Sequence, residues 1–189
     1  HADHPVHPQF TERWSPRAFS GEALPQDTLL TIFEAARWAP SASNTQPWRF
    51  IYGLHGTPAF AGILAGLVPF NQGWAQHAAA LVVLVSATQG VAPGKTEPSP
   101  QPWHSFDAGA AWMSVALQAH LLGWHAHGMA GIDRAALAAA LGVPADHQVE
   151  MAFTLGRQGD KATLPPMLQE REHPNGRLPL SAIVAEGRF

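Results

Sequence analysis

The sequence predicts a single α/β or α+β domain in which a small sheet carries helices on both faces. Helix-type and strand-type patterns alternate along the chain, which favours a layered architecture. Residues 80–87 are continuously apolar, as expected for a strand covered on both faces. Residues 105–122 carry almost no charge, which predicts a long central helix that is buried on all sides. Because no internal repeat and no linker is visible, we expect one domain over residues 1–189.

Caps, prolines and periodicity predict the elements of the first half. A helix begins near Pro25, presents apolar residues at helical spacing, and ends at Pro40. Aromatic residues then alternate with others over 48–53, which predicts a strand. A second helix is expected over Thr57–Leu67, with threonine as the cap and proline in the first turn. We expect Pro69–Asn71 to interrupt that helix before a further helical turn.

The second half opens with a proline-rich segment over residues 89–103. Its length and polarity predict a loop, either a lid or a flap that faces a substrate. Ser105 or Asp107 is expected to cap the long helix. A strand is predicted over residues 124–129 and a last strand over residues 149–156. Between them we expect a helix over residues 134–141 with Asp133 as its N-cap. We expect about residues 1–9 to be a flexible terminus and about residues 178–189 to be an extended arm.

Composition narrows the classes of partner. Hydrophobic residues make up 46% of the chain, charged residues only 13%, and there are seven tryptophans. This balance suggests apolar surface that an obligate dimer would cover, with a well-packed monomer as the alternative. The net charge is −3 and no basic run occurs, so nucleic acid and anionic membranes are not expected partners.

Other absences set further expectations. No apolar window is long enough to span a bilayer, and no secretory signal is visible, so a cytoplasmic location is expected. There is no cysteine, which excludes disulfides and thiolate chemistry. The sequence contains no dinucleotide fingerprint, no phosphate-binding loop with its lysine, and no nucleophile elbow. His125 and His127 would share a face of a strand, but no third ligand completes a zinc site, so no metal is expected.

Polar residues that could hold an anion or a flat ring remain. Arg13, Ser15 and Arg17 lie within five residues, and arginine forks match phosphate oxygens bidentately, although two solvated arginines are the simpler interpretation. The segment 41–47 between two prolines is rich in small hydroxyl and amide side chains and offers donors without bulk. Asn71 and Arg177 complete the set.

Taken together, these pieces resemble the nitroreductase family of flavoproteins. The matching segments occur in the family's order and cover most of the chain. They read RWSPRAF (13–19), AARWAPSASNTQPWRF (35–50), FN (70–71), DAGAA (107–111), GMAGID (128–133) and GRLPLS (176–181). The resemblance implies an α+β, three-layer-like fold with a small, mostly antiparallel sheet flanked by helices. It also implies a homodimer with the long helix buried and one FMN per active site at the interface.

The resemblance also implies roles for individual residues. Phosphate would be held by Arg13, Arg17 and Arg177, while Ser15 contacts the flavin. Trp14 belongs to the same cofactor-binding segment but replaces a residue that is often basic. Asn71 would bond the pyrimidine edge of the flavin, and the backbone of Ala130 and Gly131 would lie near N5. The partner subunit would contribute contacts along the flavin ring from Pro40, Ser41, Ala42 and Asn44. Phe70 would border the substrate pocket, and a pocket role is also expected for Trp103 and His104, for which plain packing is the alternative.

The implied activity is hydride transfer from NADH or NADPH through flavin N5 to nitroaromatic, quinone or related acceptors. The flavin supplies the chemistry, so no side-chain acid or base is required. Two alternatives are open. One is other chemistry on the same fold, either reductive dehalogenation or flavin fragmentation, and the other is a flavin-binding module without turnover.

Overall fold

The computed structural model describes residues 2–188 and contains two kinds of layer. The helices are α1 (Pro8–Glu12), α2 (Gln26–Arg37), α3 (Pro58–Ala65), α4 (Pro69–Ala75), α5 (His104–Leu121), α6 (Arg134–Ala140) and α7 (Pro166–Gln169). The strands are β1 (Trp48–Leu54), β2 (Ala80–Ala87), β3 (Gln89–Gly90), β4 (Ser99–Pro100), β5 (His125–Met129) and β6 (His147–Gly156). Strands β1, β2, β6 and β5 form one antiparallel sheet in that order, and β3 and β4 form a separate two-stranded ribbon.

Helices cover both faces of the sheet, so the predicted α+β architecture with a small antiparallel sheet is confirmed. The core alternates along β2, because successive side chains of a strand point to opposite faces. Val82 and Leu84 pack in the cluster that includes the buried residues of α2 and α5. Leu81 and Val83 pack in the second cluster, with the buried residues of α3, α4 and α6. Every residue of β2 is buried, as its apolar sequence predicted.

Several predicted boundaries are confirmed by the capping contacts. Thr57 accepts a hydrogen bond from the Phe60 amide at the start of α3, and Asp133 caps α6 through the Ala136 amide. The expected break at Pro69–Asn71 is wrong. Helix α3 already ends at Ala65, and Pro69 is the first residue of α4, where a proline needs no amide hydrogen. This places Asn71 in the first turn of a helix.

The prediction for the long helix needs two corrections. Neither Ser105 nor Asp107 caps α5, because the N-cap position is Trp103 and no side chain bonds to the free amides there. The helix is also not buried on all sides within one chain. Its alanine-rich face packs in the core, whereas Phe106 is 77% exposed and Leu121 58% exposed.

Segments near the two termini contact each other on the surface. Asp3 accepts a hydrogen bond from the Leu180 amide at 2.8 Å, just where a 3-10 turn forms over Leu180–Ala182. Residues 1 and 189 of the two predicted terminal segments lie outside the described range. No helix among residues 2–188 combines the length and the apolar character needed to cross a membrane.

Candidate functional site

A cationic cavity of about 170 Å³ lies where the two ends of the chain meet. It brings together five residues predicted from the sequence with four others, and its lining is Arg13, Trp14, Ser15, Arg17, His127, Arg171, His173, Asn175 and Arg177. Sequence reasoning missed Arg171, His127 and His173. The first lies in a stretch that looked like an ordinary charged turn. His127 was considered only as a zinc ligand together with His125, and His173 had no sequence signal.

Glu172 holds the inner wall of this cavity in place. Its buried carboxylate accepts hydrogen bonds from the backbone amides of Arg17 at 2.6 Å and Ala18 at 2.8 Å. Its second oxygen lies 3.9 Å from the Arg17 guanidinium. A residue near the C-terminus therefore fixes the path of the N-terminal segment. The sequence carried no signal for this contact, because the two segments are more than 150 positions apart.

The electrostatics of the cavity favour an anion. Burial, and then the nearby charge of Arg177, lower the pKa of Arg13. Burial also lowers the pKa of Arg17, and the attraction of Glu172 offsets this effect in part while the charge of Arg171 adds to it. The Arg13 Nε atom is buried and has no hydrogen-bond partner within residues 2–188. Crowded, partly desolvated guanidinium groups are stabilised by a bound anion such as a phosphate.

A second cavity, of about 400 Å³, continues from the first. The two share Arg13 and Ser15, and apolar or small residues make up the rest of its lining: Trp112, Met113, Ala116, Gly128, Met129, Ala130 and Met151. The combined space has a cationic end and a broad apolar body. It fits a ligand that joins a phosphate to a flat ring system, because each part meets a surface of matching polarity.

Tight backbone packing borders the second cavity after β5. A Cβ atom on Gly131 would lie 2.7 Å from Asn71 Nδ2 and 2.8 Å from a methyl group of Val68. The Asn71 side chain donates to the Gly131 carbonyl at 3.1 Å, and its Oδ1 makes no hydrogen bond inside the described range. Asn71 and Gly131 therefore lie directly beside Ala130, which lines the second cavity.

The loop 40–47 lies apart from both cavities in a single chain. Pro40 and Asn44 are exposed, and Ser41 and Ala42 are half-buried. The loop is nevertheless held in a fixed shape. Asp107 Oδ2 accepts a hydrogen bond from the Ala42 amide at 3.0 Å. The buried aspartate therefore holds this loop and does not cap α5.

The same loop contains unusual backbone geometry. Ser43, Asn44 and Gln46 have positive φ angles of 50°, 52° and 49°. Residues other than glycine adopt this region at a cost of about 1–3 kcal/mol, and such strain concentrates at binding and catalytic sites. Ser41 Oγ supports the turn by accepting from the Gln46 amide at 3.0 Å.

The predicted substrate-pocket residues line neither cavity. Phe70 is 48% exposed in the first turn of α4, and Trp103 is 60% exposed beside Phe106. His104 Nδ1 lies 2.7 Å from Ser86 Oγ and 3.4 Å from Glu150 Oε1. The serine is fully buried and the carboxylate approaches the same ring nitrogen, so this cluster lacks the geometry of a hydrolytic triad.

Glu150 reaches this cluster because of an irregularity in the sheet. Leu84 pairs with Met151, whereas Val85 pairs with Val149, which leaves Glu150 as the extra residue of a β-bulge. Bulges redirect side chains and are frequent beside active sites.

Among residues 2–188, no three His, Asp or Glu side chains are grouped as a metal site would require.

Comparison with known proteins assigns the chain to a family. The family model described as "Nitroreductase family" matches residues 10–157, and the chain belongs to that family. A 15.4 kDa protein from the ask 5' region of Mycolicibacterium smegmatis is 34% identical over 149 residues, which cover 75% of this chain and 97% of that protein.

Solved structures agree with this assignment. One protein, described as an oxidoreductase containing FMN, is 46% identical and aligns over 100% of this chain and 95% of its own, with a TM-score of 0.95. A protein from Desulfovibrio desulfuricans solved in complex with FMN is 24% identical, with a TM-score of 0.77 over 100% of this chain and 99% of that chain, and supports the fold alone.

Proposed function

We propose that this protein is an FMN-dependent oxidoreductase that uses NADH or NADPH to reduce small acceptors such as nitroaromatics or quinones. One observation carries the proposal: a cationic cavity and an apolar cavity are joined through Arg13 and Ser15. Family membership and the resemblance to an FMN-containing oxidoreductase support the choice of this flavin.

The residues present fit FMN at both ends. The buried Arg13 Nε, which has no hydrogen-bond partner among residues 2–188, and the mutual crowding of the arginines support the binding of an anion, a role that suits the phosphate. The apolar side chains of Trp112 and Met151 in the cavity lining suit an aromatic ring system. When bound, FMN supplies a centre that accepts and donates hydride, which no side chain can provide.

The chain would position the cofactor and shape the pocket. Arg13, Arg17 and Arg177 would hold the phosphate, with Ser15 and Trp14 beside them, as predicted. Asn71 Oδ1 would accept from the ring edge, and the backbone of Ala130 and Gly131 would border it. Gly131 suits this position because a side chain there would collide with Asn71.

We further propose that the active site forms in a homodimer. The strained loop with Pro40, Ser41, Ala42 and Asn44 lies outside the cavities of its own chain, which suits a surface that contacts the flavin of a partner subunit. Exposed apolar side chains on α5 and on the C-terminal arm support such an interface: Phe106, Met113, Leu121, Leu178, Ile183 and Val184. Burial of this surface would be favourable.

A pocket role for Phe70, Trp103 and His104 rests on the same dimer, because within one chain these residues lie outside both cavities. The cytoplasmic location stays a prediction. Flavin binding without turnover is distinguished from this function by the experiment below, and reductive dehalogenation and flavin fragmentation stay open as alternatives on the same fold.

The test combines a spectrum with an anaerobic titration. We expect the purified protein to bind one FMN per chain, to lose the flavin's yellow absorbance on addition of NADH or NADPH, and to regain it with a nitroaromatic or a quinone. Flavin that stays yellow with both nicotinamides would refute the enzymatic part of the proposal. Failure to bind FMN at all would refute the whole proposal.

A further inference from the structure

Two histidines line the cationic cavity, and His127 is the less exposed of the two. It lies in β5, and its Nδ1 is 3.0 Å from the Pro16 carbonyl oxygen. Because a carbonyl oxygen only accepts, Nδ1 carries the hydrogen. The opposite nitrogen of the neutral ring, Nε2, therefore holds a lone pair, and it makes no hydrogen bond with any residue from 2 to 188.

The surroundings of His127 are almost entirely cationic. The N-terminal segment contributes Arg13 and Arg17, and helix α4 contributes the uncharged Trp74, whose ring centroid is 4.5 Å from the imidazole. The titratable and charged groups that share this region with it are Arg13, Arg17, His125, Arg171, Glu172, His173 and Arg177.

Without an anion these surroundings keep His127 neutral. Burial, with a smaller contribution from Arg17, lowers the pKa of His127 to about 4, although the hydrogen bond to Pro16 and the nearby backbone of Ser15 oppose this effect. The only acid among the neighbouring groups, Glu172, is engaged by the Arg17 and Ala18 amides and does not balance the arginines fully.

A phosphate in the cavity would reverse this balance. Phosphate oxygens of a dianion only accept hydrogen bonds, so a lone pair on Nε2 would face them unfavourably. A protonated Nε2 would instead donate a charge-assisted hydrogen bond. We propose, on the basis of the FMN site proposed above, that His127 takes up one proton from solvent when the phosphate group enters and so becomes part of the phosphate-binding set. No bond to phosphorus forms or breaks in this step.

Calorimetry can count this proton. The full chain, stripped of flavin, is titrated with FMN at about pH 8, where a phosphate monoester with a second pKa of about 6 is already a dianion. Parallel titrations in HEPES and in Tris, which differ in ionisation enthalpy, give the number of protons exchanged. We expect uptake of about one proton per FMN bound by the unmodified protein.

Variants and a second ligand assign the proton to a residue. His127→Gln should bind FMN more weakly and take up almost no proton. His173→Gln, the matched control at the exposed wall of the same cavity, should retain the uptake. Riboflavin has the ring system but no phosphate, and we expect it to bind the unmodified protein without proton uptake.

The outcomes separate this inference from the proposed function. FMN binding with an uptake below about 0.3 protons would overturn the role of His127 and leave the flavin site intact. Equal uptake with riboflavin, or unchanged uptake in a folded His127→Gln variant, would also overturn it. The proton count for the unmodified protein stands even when that variant does not fold. Absence of any FMN binding would refute both proposals.

Discussion

Arg13 and Arg177 are predicted to contribute unequally to FMN binding, although both are arginines of the same cavity. Arg13 is half-buried and lies at the junction of the two cavities, and its buried Nε has no hydrogen-bond partner in the described part of the chain. Arg177 is exposed, and its guanidinium already donates to the carbonyls of Asn175 and Gly176 at 3.1 and 2.9 Å. Removing Arg13 should therefore cost more binding free energy.

The magnitude follows from the two environments. A charge-assisted hydrogen bond is worth about 1.5–3 kcal/mol where water is partly excluded, so Arg13→Ala should raise the Kd for FMN by about 10- to 150-fold. An exposed ion pair is worth about 1 kcal/mol or less, so Arg177→Ala should raise the Kd by no more than about fivefold. High salt should weaken the contribution of Arg177 more than that of Arg13.

Quenching of FMN fluorescence during titration with flavin-free protein measures both dissociation constants. Arg37→Ala is the control, because Arg37 pairs with Glu34 on the exposed surface of α2. Arg13→Ala should raise the Kd for riboflavin less than the Kd for FMN, since riboflavin has no phosphate. Equal effects of the two substitutions on FMN binding, or a larger effect of Arg177→Ala, would refute the assignment of Arg13 as the inner phosphate ligand.

Three further predictions concern supporting residues. Glu172→Ala should leave the partly buried Arg17 amide and the buried Ala18 amide unpaired and lower Tm by about 5–10 °C in a thermal melt, with weaker FMN binding, whereas Glu170→Ala should change Tm little. Gly131→Ala should weaken FMN binding by about tenfold or more in the same titration, because the new methyl group displaces Asn71. Asp107→Ala should release the 40–47 loop and lower turnover more than it lowers FMN retention. Unchanged values would contradict each argument.

Local sequence patterns were enough for most of the fold. Caps such as Thr57 and Asp133 have a short-range signature, and the apolar run of β2 determines its position between two helical layers. The error at α5 arose from composition alone. Its alanine-rich sequence gives no direct indication of which apolar side chains face the core and which, such as Phe106, remain on the surface of one chain.

In the candidate site, too, local patterns predicted some residues, whereas residues that act through tertiary contacts were missed. Arg13, Ser15, Arg17 and Arg177 were predicted because their residue types and the ordered motifs point to a phosphate, and the structure places them around one cavity. Glu172 was missed because its role exists only through tertiary contact with backbone amides.

The neutral state of His127 has a consequence for stability that can be measured without any flavin. Its pKa is about 4 in the folded protein and near 6.5 in an unfolded chain, so the unfolded chain binds more protons between these values. The contribution of His127 to folding is fully present above about pH 6.5 and is lost as the pH falls toward 4, by about 3 kcal/mol in total. His127→Gln should flatten this part of the pH dependence of the free energy of unfolding, measured by urea denaturation.

His173→Gln is again the control, because His173 is an exposed histidine of the same cavity. A phosphate-containing ligand should shift the same transition. When FMN is bound, protonation of His127 would be favourable, and acid should no longer destabilise the protein through this residue. The cavity therefore connects cofactor binding with acid sensitivity through one imidazole. An identical acid dependence of unfolding for His127→Gln and the unmodified protein would show that His127 is not held neutral by its buried, cationic surroundings.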